Sequence, residues 1–134
     1  MLGLVKSQKE VSSKLMKGLL DLIILQFLNT QPMHGYQVIT KIRKSFGVYF
    51  GPSTIYPLLS TLEKKGFVKG EWNTSYERPR KTYSLTSNGQ SMLNLSEESL
   101  SLICRKLTFQ QCIEQSTQPA ATLTTKVLAQ KSTV

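Results

Sequence analysis

Residues 51–89 read GPSTIYPLLSTLEKKGFVKGEWNTSYERPRKTYSLTSNG, and three structural parts follow one another within them. Gly51-Pro52-Ser53-Thr54 is a helix start: a breaker, a proline tolerated in a first turn, and hydroxyls able to cap free N–H groups. Ile55, Leu58, Leu59 and Leu62 then recur at i, i+3, i+4 and i+7, which gives one apolar face. The opposite face carries Thr54, Tyr56, Ser60, Thr61 and Lys64. Pro57 would cost about 3 kcal/mol in a helix interior, and the cost shrinks near the first turn, where few donors are lost. Lys64 and Lys65 suit the negative end of the helix dipole, and Gly66 supplies a left-handed cap. Two alternating runs come next, Phe67 to Trp72 and Arg80 to Leu85, the second with Lys81, Tyr83 and Leu85 on one side. Between them Tyr76-Glu77-Arg78-Pro79 forms an exposed tip stiffened by proline. Trp72 is expected to pack this hairpin against the rest of the domain, with stacking on a ligand as the lesser reading. Ser87 and Gln90 are spaced as the capping box of a following helix.

Helix, basic hairpin, helix is the order of parts in a winged helix-turn-helix, and the upstream sequence supplies the missing helices. Leu15, Leu19, Leu20, Leu22, Ile23, Ile24, Phe27 and Leu28 make a helix that is apolar around most of its circumference and therefore central. Gln31-Pro32 ends it. A second helix runs from about Gly35 to Phe46, with Tyr36, Ile39, Ile42 and Phe46 on one face and Gln37, Lys41 and Lys44 on the other, and Gly47 stops it. The expected class is mainly α with a small β-hairpin. The expected divisions are an N-terminal arm at 1–14, either loose or an irregular helical extension, a winged helix-turn-helix at 15–86, a dimerisation helix at 87–114 and a flexible tail at 115–134.

Charge points to the kind of partner. Seventeen Lys and Arg against eight Asp and Glu give +9 over 134 residues, a balance suited to polyanions. Between His34 and Tyr83 nine basic residues face three acidic ones, so two thirds of the excess lies in the motif-bearing segment. Ser53, Thr54, Tyr56, Ser60 and Thr61 can bond to phosphates or base edges, and Lys64 adds charge. Arg78, Arg80 and Lys81 place three cations in four residues, enough to grip a backbone or enter a minor groove. Each feature alone also fits an ordinary solvated surface; their combination favours nucleic acid.

Other chemistries find little support. His34 has no titratable partner nearby and suits a structural or phosphate-facing place at a helix start. Cys104 and Cys112 lack a CxxC spacing or a neighbouring histidine, so no metal, cofactor or dithiol role is expected. No phosphate-binding glycine loop or nucleophile elbow occurs, and no catalytic residue is assigned. The apolar run Leu19–Leu28 is too short to span a bilayer, and the start of the chain lacks the pattern of a signal peptide. A cytoplasmic protein is expected.

The helix from about Ser87 to Ile113 carries two stripes: Leu93, Leu100 and Leu107 with Ile103, and Leu95, Leu102 and Phe109 with Met92. One domain needs a single stripe, so the second suggests the same helix of another subunit; one broad stripe wrapped by its own domain is the alternative.

Leu19-Leu20-Asp21, Met33-His34-Gly35-Tyr36, Ser53-Thr54-Ile55-Tyr56-Pro57-Leu58-Leu59, Leu62-Glu63-Lys64-Lys65-Gly66-Phe67 and Arg80-Lys81-Thr82-Tyr83-Ser84-Leu85-Thr86-Ser87-Asn88-Gly89 together resemble the PadR family of transcriptional regulators, over about residues 15–107. The resemblance implies a winged-helix homodimer on double-stranded operator DNA, usually a repressor, joined mainly through the last helix. It is similar to the shorter branch, with a single C-terminal helix. The family pattern implies that Tyr36 lies near the DNA backbone, that Ser53, Thr54 and Tyr56 lie at the exposed start of the recognition helix, and that Arg80 and Lys81 form the basic wing. Gln37 joins Tyr36 in the expected interface. Thr61 stands where many relatives carry Arg, and Thr82 where many carry an aromatic residue. A small-molecule effector is a further expected type of partner, of unknown identity. The rival reading is a winged-helix module that docks a protein instead of DNA.

Overall fold

The computed structural model describes residues 2–75 and 77–107, with the side chains of residues 2–5 left aside. Phe109, Cys112, the last part of the expected dimerisation helix, the tail at 115–134 and Tyr76 at the wing tip lie outside the described residues. The elements are α1 (Leu2–Thr30), β1 (Met33–His34), α2 (Gly35–Phe46), α3 (Pro52–Lys64), β2 (Val68–Asn73), β3 (Arg80–Leu85) and α4 (Ser87–Lys106). This is a mainly helical winged helix-turn-helix with a small antiparallel sheet. The described residues fall into two units, one ending at Ser96 and the other beginning at Glu97.

The first unit is built around the second half of α1. Leu20, Leu22, Ile23, Ile24, Leu25 and Leu28 are all buried, so this stretch is enclosed on nearly every side, as its all-round apolarity requires. Val38 and Ile42 of α2 and Ile55, Leu59 and Leu62 of α3 complete the core, each at most 2% exposed. Full burial of such side chains stabilises by about 1.5–3 kcal/mol each. Leu93 of α4 is 1% exposed and belongs to this core. The expectation that Leu93 lies on a dimerisation stripe is therefore corrected: a residue sealed in its own domain has no surface to offer a partner.

One further expectation is narrowed and two change. Of the loose arm and the helical extension expected before Leu15, α1 takes the second form, running unbroken from Leu2; Leu15 itself is 66% exposed. In α2 the core face is Val38, Ile39 and Ile42, while Tyr36 and Phe46 are exposed. The cap of α4 is Thr86 instead of Ser87. The Thr86 hydroxyl accepts from the Gly89 N–H at 3.0 Å and donates to the Gly66 carbonyl at 2.6 Å, so one side chain starts α4 and ties it to the end of α3. Ser87 is exposed.

The end of α3 follows from its glycine. Gly66 has φ +80, the Phe67 N–H bonds the Leu62 carbonyl at 3.0 Å and the Gly66 N–H bonds the Glu63 carbonyl at 3.0 Å, a Schellman ending. The chain is thereby turned straight into β2. In the sheet, ordered β1-β3-β2, β3 is central. β2 and β3 pair from Val68↔Leu85 to Asn73↔Arg80. The two-residue β1, too short to show a period, pairs Met33↔Tyr83 and His34↔Thr82. It joins the start of α2 to the wing.

Candidate DNA interface

Each expected contact residue occupies a definable place. Ser53, Thr54, Tyr56, Thr61 and Lys64 are exposed and Ser60 is half-buried, as the apolar spacing of α3 requires. No side chain caps the start of α3; the Gly51 carbonyl accepts from Thr54 and Ile55 at 3.0 and 3.1 Å. The hydroxyls of Ser53 and Thr54 are thus not used as the caps that the sequence suggested. Pro57 lies in the second turn, and because it has no N–H the Ser53 carbonyl lacks its usual i+4 donor. The Thr61 hydroxyl donates back to the Pro57 carbonyl at 2.9 Å, which engages its proton within the helix.

Gln37 is tied to its own helix. Its side-chain oxygen accepts from the His34 N–H at 3.0 Å while its own N–H donates to His34 Nδ1 at 3.4 Å, a reciprocal cap at the start of α2. His34 therefore has the structural place its position suggested. Nε2 of the same ring lies 3.5 Å from the Arg80 guanidinium. Burial, and secondarily the charge of Arg80, hold the imidazole pKa below its ordinary value. A neutral ring that accepts at Nδ1 carries its proton on Nε2. Across β1, the cap of α2 and the wing meet at this point.

The wing cations are not equivalent. Arg78 and Arg80 are exposed. Lys81 is half-buried, its ammonium 2.7 Å from Glu63 Oε1, while Glu63 Oε2 accepts from the Gly70 N–H at 2.9 Å. One carboxylate of α3 thus holds both strands of the wing. The hydrogen bond from Lys81, helped by that from Gly70, holds the Glu63 pKa below the usual carboxylate value, and the same pairing raises that of Lys81. A Cβ on Gly70 would collide with Lys81 and Glu63, so glycine is what lets the strand approach the pair. The reading of Lys81 as a free backbone-gripping cation is accordingly revised: its charge is already matched.

Trp72 differs most from expectation. Val68, Gly70 and Trp72 share the inward face of β2, opposite Leu85, Tyr83 and Lys81. Burial falls along that face, from Val68 at 2% to Trp72 at 65% exposed, because the strand runs past the end of the core. Alternation along the strand marks this face but not how far the core extends beneath it. Trp72, Tyr36, Tyr56 and Gly35 line one cleft with Arg78 and Arg80, about 380 Å³ in volume. Gly35 lies directly against the Tyr56 ring, where a Cβ would overlap it. The sequence signal was available: a tryptophan at the far end of an alternating strand, beside a basic turn.

A family model for the PadR-like transcriptional regulators matches residues 24–95, more than half of the chain. The chain belongs to that family. Solved structures agree. A PadR-like transcription factor from Bacteroides fragilis is 30% identical, with a TM-score of 0.62 over 72% of this chain and 93% of that one. A putative transcriptional regulator from Thermoplasma acidophilum is also 30% identical, with a TM-score of 0.63 over 69% and 89%. A PadR family transcriptional regulator from Eggerthella lenta is 26% identical, with a TM-score of 0.69 over 78% and 92%. No curated protein sequence matches. The PadR-like family comprises transcriptional regulators, not enzymes. Among the described residues no helix is long and apolar enough to cross a membrane, and no cluster of His, Cys, Asp and Glu could hold a metal ion.

The remaining expected residues lie on α4 or, for Leu107, directly after it. Leu95, Leu102, Ile103 and Leu107 are each at least half exposed, and Leu100 is half-buried. Helix α1 separately exposes Val11 and Leu15.

Proposed function

We propose that this PadR-like chain is a homodimeric, sequence-specific DNA-binding repressor that presents α3 to the major groove and the wing to the adjacent backbone. The observation that carries the reading is the shared exposure of Ser53, Thr54, Tyr56, Thr61 and Lys64 on α3, beside Arg78 and Arg80 on the wing. At the uncapped start of α3 Pro52 has no N–H and those of Thr54 and Ile55 are taken by the Gly51 carbonyl, so the Ser53 N–H and the positive dipole end are what it presents toward phosphate. Tyr36 stands next to it, 67% exposed at the first turn of α2. Base reading falls to Ser53, Thr54, Tyr56 and Ser60, whereas Gln37 and Thr61 act chiefly through the helix geometry they maintain.

Dimerisation is supported by Leu95, Leu102, Ile103 and Leu107. Large apolar side chains left exposed along α4 and directly after it are of the kind that a second copy covers. A twofold dimer would read half-sites about one helical turn, roughly 34 Å, apart.

Selection of bound duplexes from a random pool, followed by footprinting, tests the whole reading. A palindrome with half-sites one turn apart is the expected result. A protein that retains no duplex at low salt, or retains all sequences equally, would overturn it. Repression is tested separately, by placing the selected site across a promoter and measuring transcription with and without the protein; increased transcription would reverse the assignment of direction.

A further inference from the structure

The cleft between the wing and the start of α2 contains three exposed aromatic rings contributed by three elements: Tyr36 of α2, Tyr56 of α3 and Trp72 of β2. One exposed aromatic side chain is ordinary. Three around one cleft, with Arg78 and Arg80 lining it as well, define a surface for something both apolar and anionic. Trp72 has no packing role to explain it. It is 65% exposed, and the Lys81 ammonium, 5.9 Å from its ring centroid, is held by Glu63.

We infer that Trp72 is a DNA-contacting residue, seated against a deoxyribose of the strand whose phosphates the wing arginines hold. This rests on the DNA-binding reading and deepens it. The sugar is the part of a duplex strand that offers an apolar surface between two anions, which is the chemistry the cleft presents. An indole has one N–H and no acceptor, so it cannot discriminate base edges as Asn, Gln or Arg do; its contribution is contact area, with the N–H available to a phosphate oxygen. Tyr56 lines the same cleft, and Gly35 leaves room beside its ring that a Cβ would take. Glu63 is the positioning residue of this arrangement: by binding the Lys81 ammonium and the Gly70 N–H it sets the height of the Trp72 end of β2 above α3.

Trp72 is the only tryptophan of the chain, so its fluorescence reports on this contact alone. The full-length protein is titrated with the selected operator duplex while acrylamide quenching is followed. The accessibility of Trp72 should fall on binding. By anisotropy with labelled duplex, Trp72→Ala should weaken binding about two- to tenfold. The melting temperature and the salt slope should stay unchanged, because an exposed apolar contact neither holds the core nor releases counterions. Trp72→Phe should recover most of the loss. Duplex binding that leaves Trp72 as accessible to acrylamide as in the free protein, or a Trp72→Ala variant that binds like the wild type, would overturn the inference while leaving the DNA reading intact. Failure of the wild type to bind any duplex would remove both.

Discussion

Arg78 and Lys81 sit three residues apart on the same wing and should behave differently toward salt. Lys81 is 2.7 Å from Glu63 Oε1, so the pair presents no net charge to a phosphate. Arg78 is exposed and brings a full positive charge to the face. Each neutralised phosphate contributes about 0.9 to the slope of log K against log salt. Arg78→Ala should therefore flatten the slope by about 0.9 per bound subunit, or about 1.8 for a symmetric dimer. Raising salt from about 50 to about 200 mM should then shrink the deficit of that variant relative to wild type by roughly tenfold. Lys81→Met should weaken binding by loosening the wing and leave the slope where it was. The assay is fluorescence anisotropy with one labelled operator duplex over at least four salt concentrations. Equal flattening by both substitutions would refute the reasoning, since it would mean that Lys81 leaves Glu63 to bind a phosphate in the complex.

Other expectations follow from single side chains. Leu93→Ala should cost about 2–5 kcal/mol by opening a cavity in the core, seen as a large fall in melting temperature, whereas a dimer-only role would leave the thermal stability of a dilute monomer unchanged. Replacing Leu102 and Ile103 together with Glu should convert the dimer to monomer in sedimentation at micromolar concentration without disturbing the fold by circular dichroism. Acidification should destabilise the start of α2: the folded state holds the His34 pKa below its ordinary 6.5, so the unfolded chain takes up the proton first. That loss should begin as pH falls through about 6.5 and be complete below the folded value; His34→Asn, which preserves a cap without titrating, should abolish this part of the pH dependence.

Legibility in the sequence followed the length of each signal. Ile55, Leu59 and Leu62 repeat over two turns of α3, and their periodicity placed the helix, its inner face and hence its outer one. Gly66 and Gly47 marked helix ends through a backbone conformation that other residues rarely adopt. A two-residue strand such as β1 has no period to detect and exists only because β3 is there to pair with it. Thr86 was passed over as a cap because Ser87 fits the same local pattern; the choice is made by the Gly66 carbonyl, twenty residues away in sequence. Lys81 and Trp72 show the same limit in the site. Charge and face are local properties, but whether a cation is already matched by Glu63, or whether a strand outruns the core beneath it, is decided by tertiary packing. Leu93 fell on a real stripe of α4 and was assigned to the wrong neighbour, because spacing identifies a face without saying what covers it.

Among the described residues, the ties that hold the wing lie at or below the Asn73↔Arg80 pair. Its base is fixed by β1 through Met33↔Tyr83, by Val68↔Leu85 and by the Glu63 carboxylate, and the ladder stops at Asn73↔Arg80. Everything between those two residues can be lengthened, shortened or exchanged at little thermodynamic cost, since surface loops tolerate insertion well. Affinity for a new operator can therefore be retuned by grafting a different tip onto an unchanged frame, which makes the segment 74–79 the natural position at which to diversify this protein in a library.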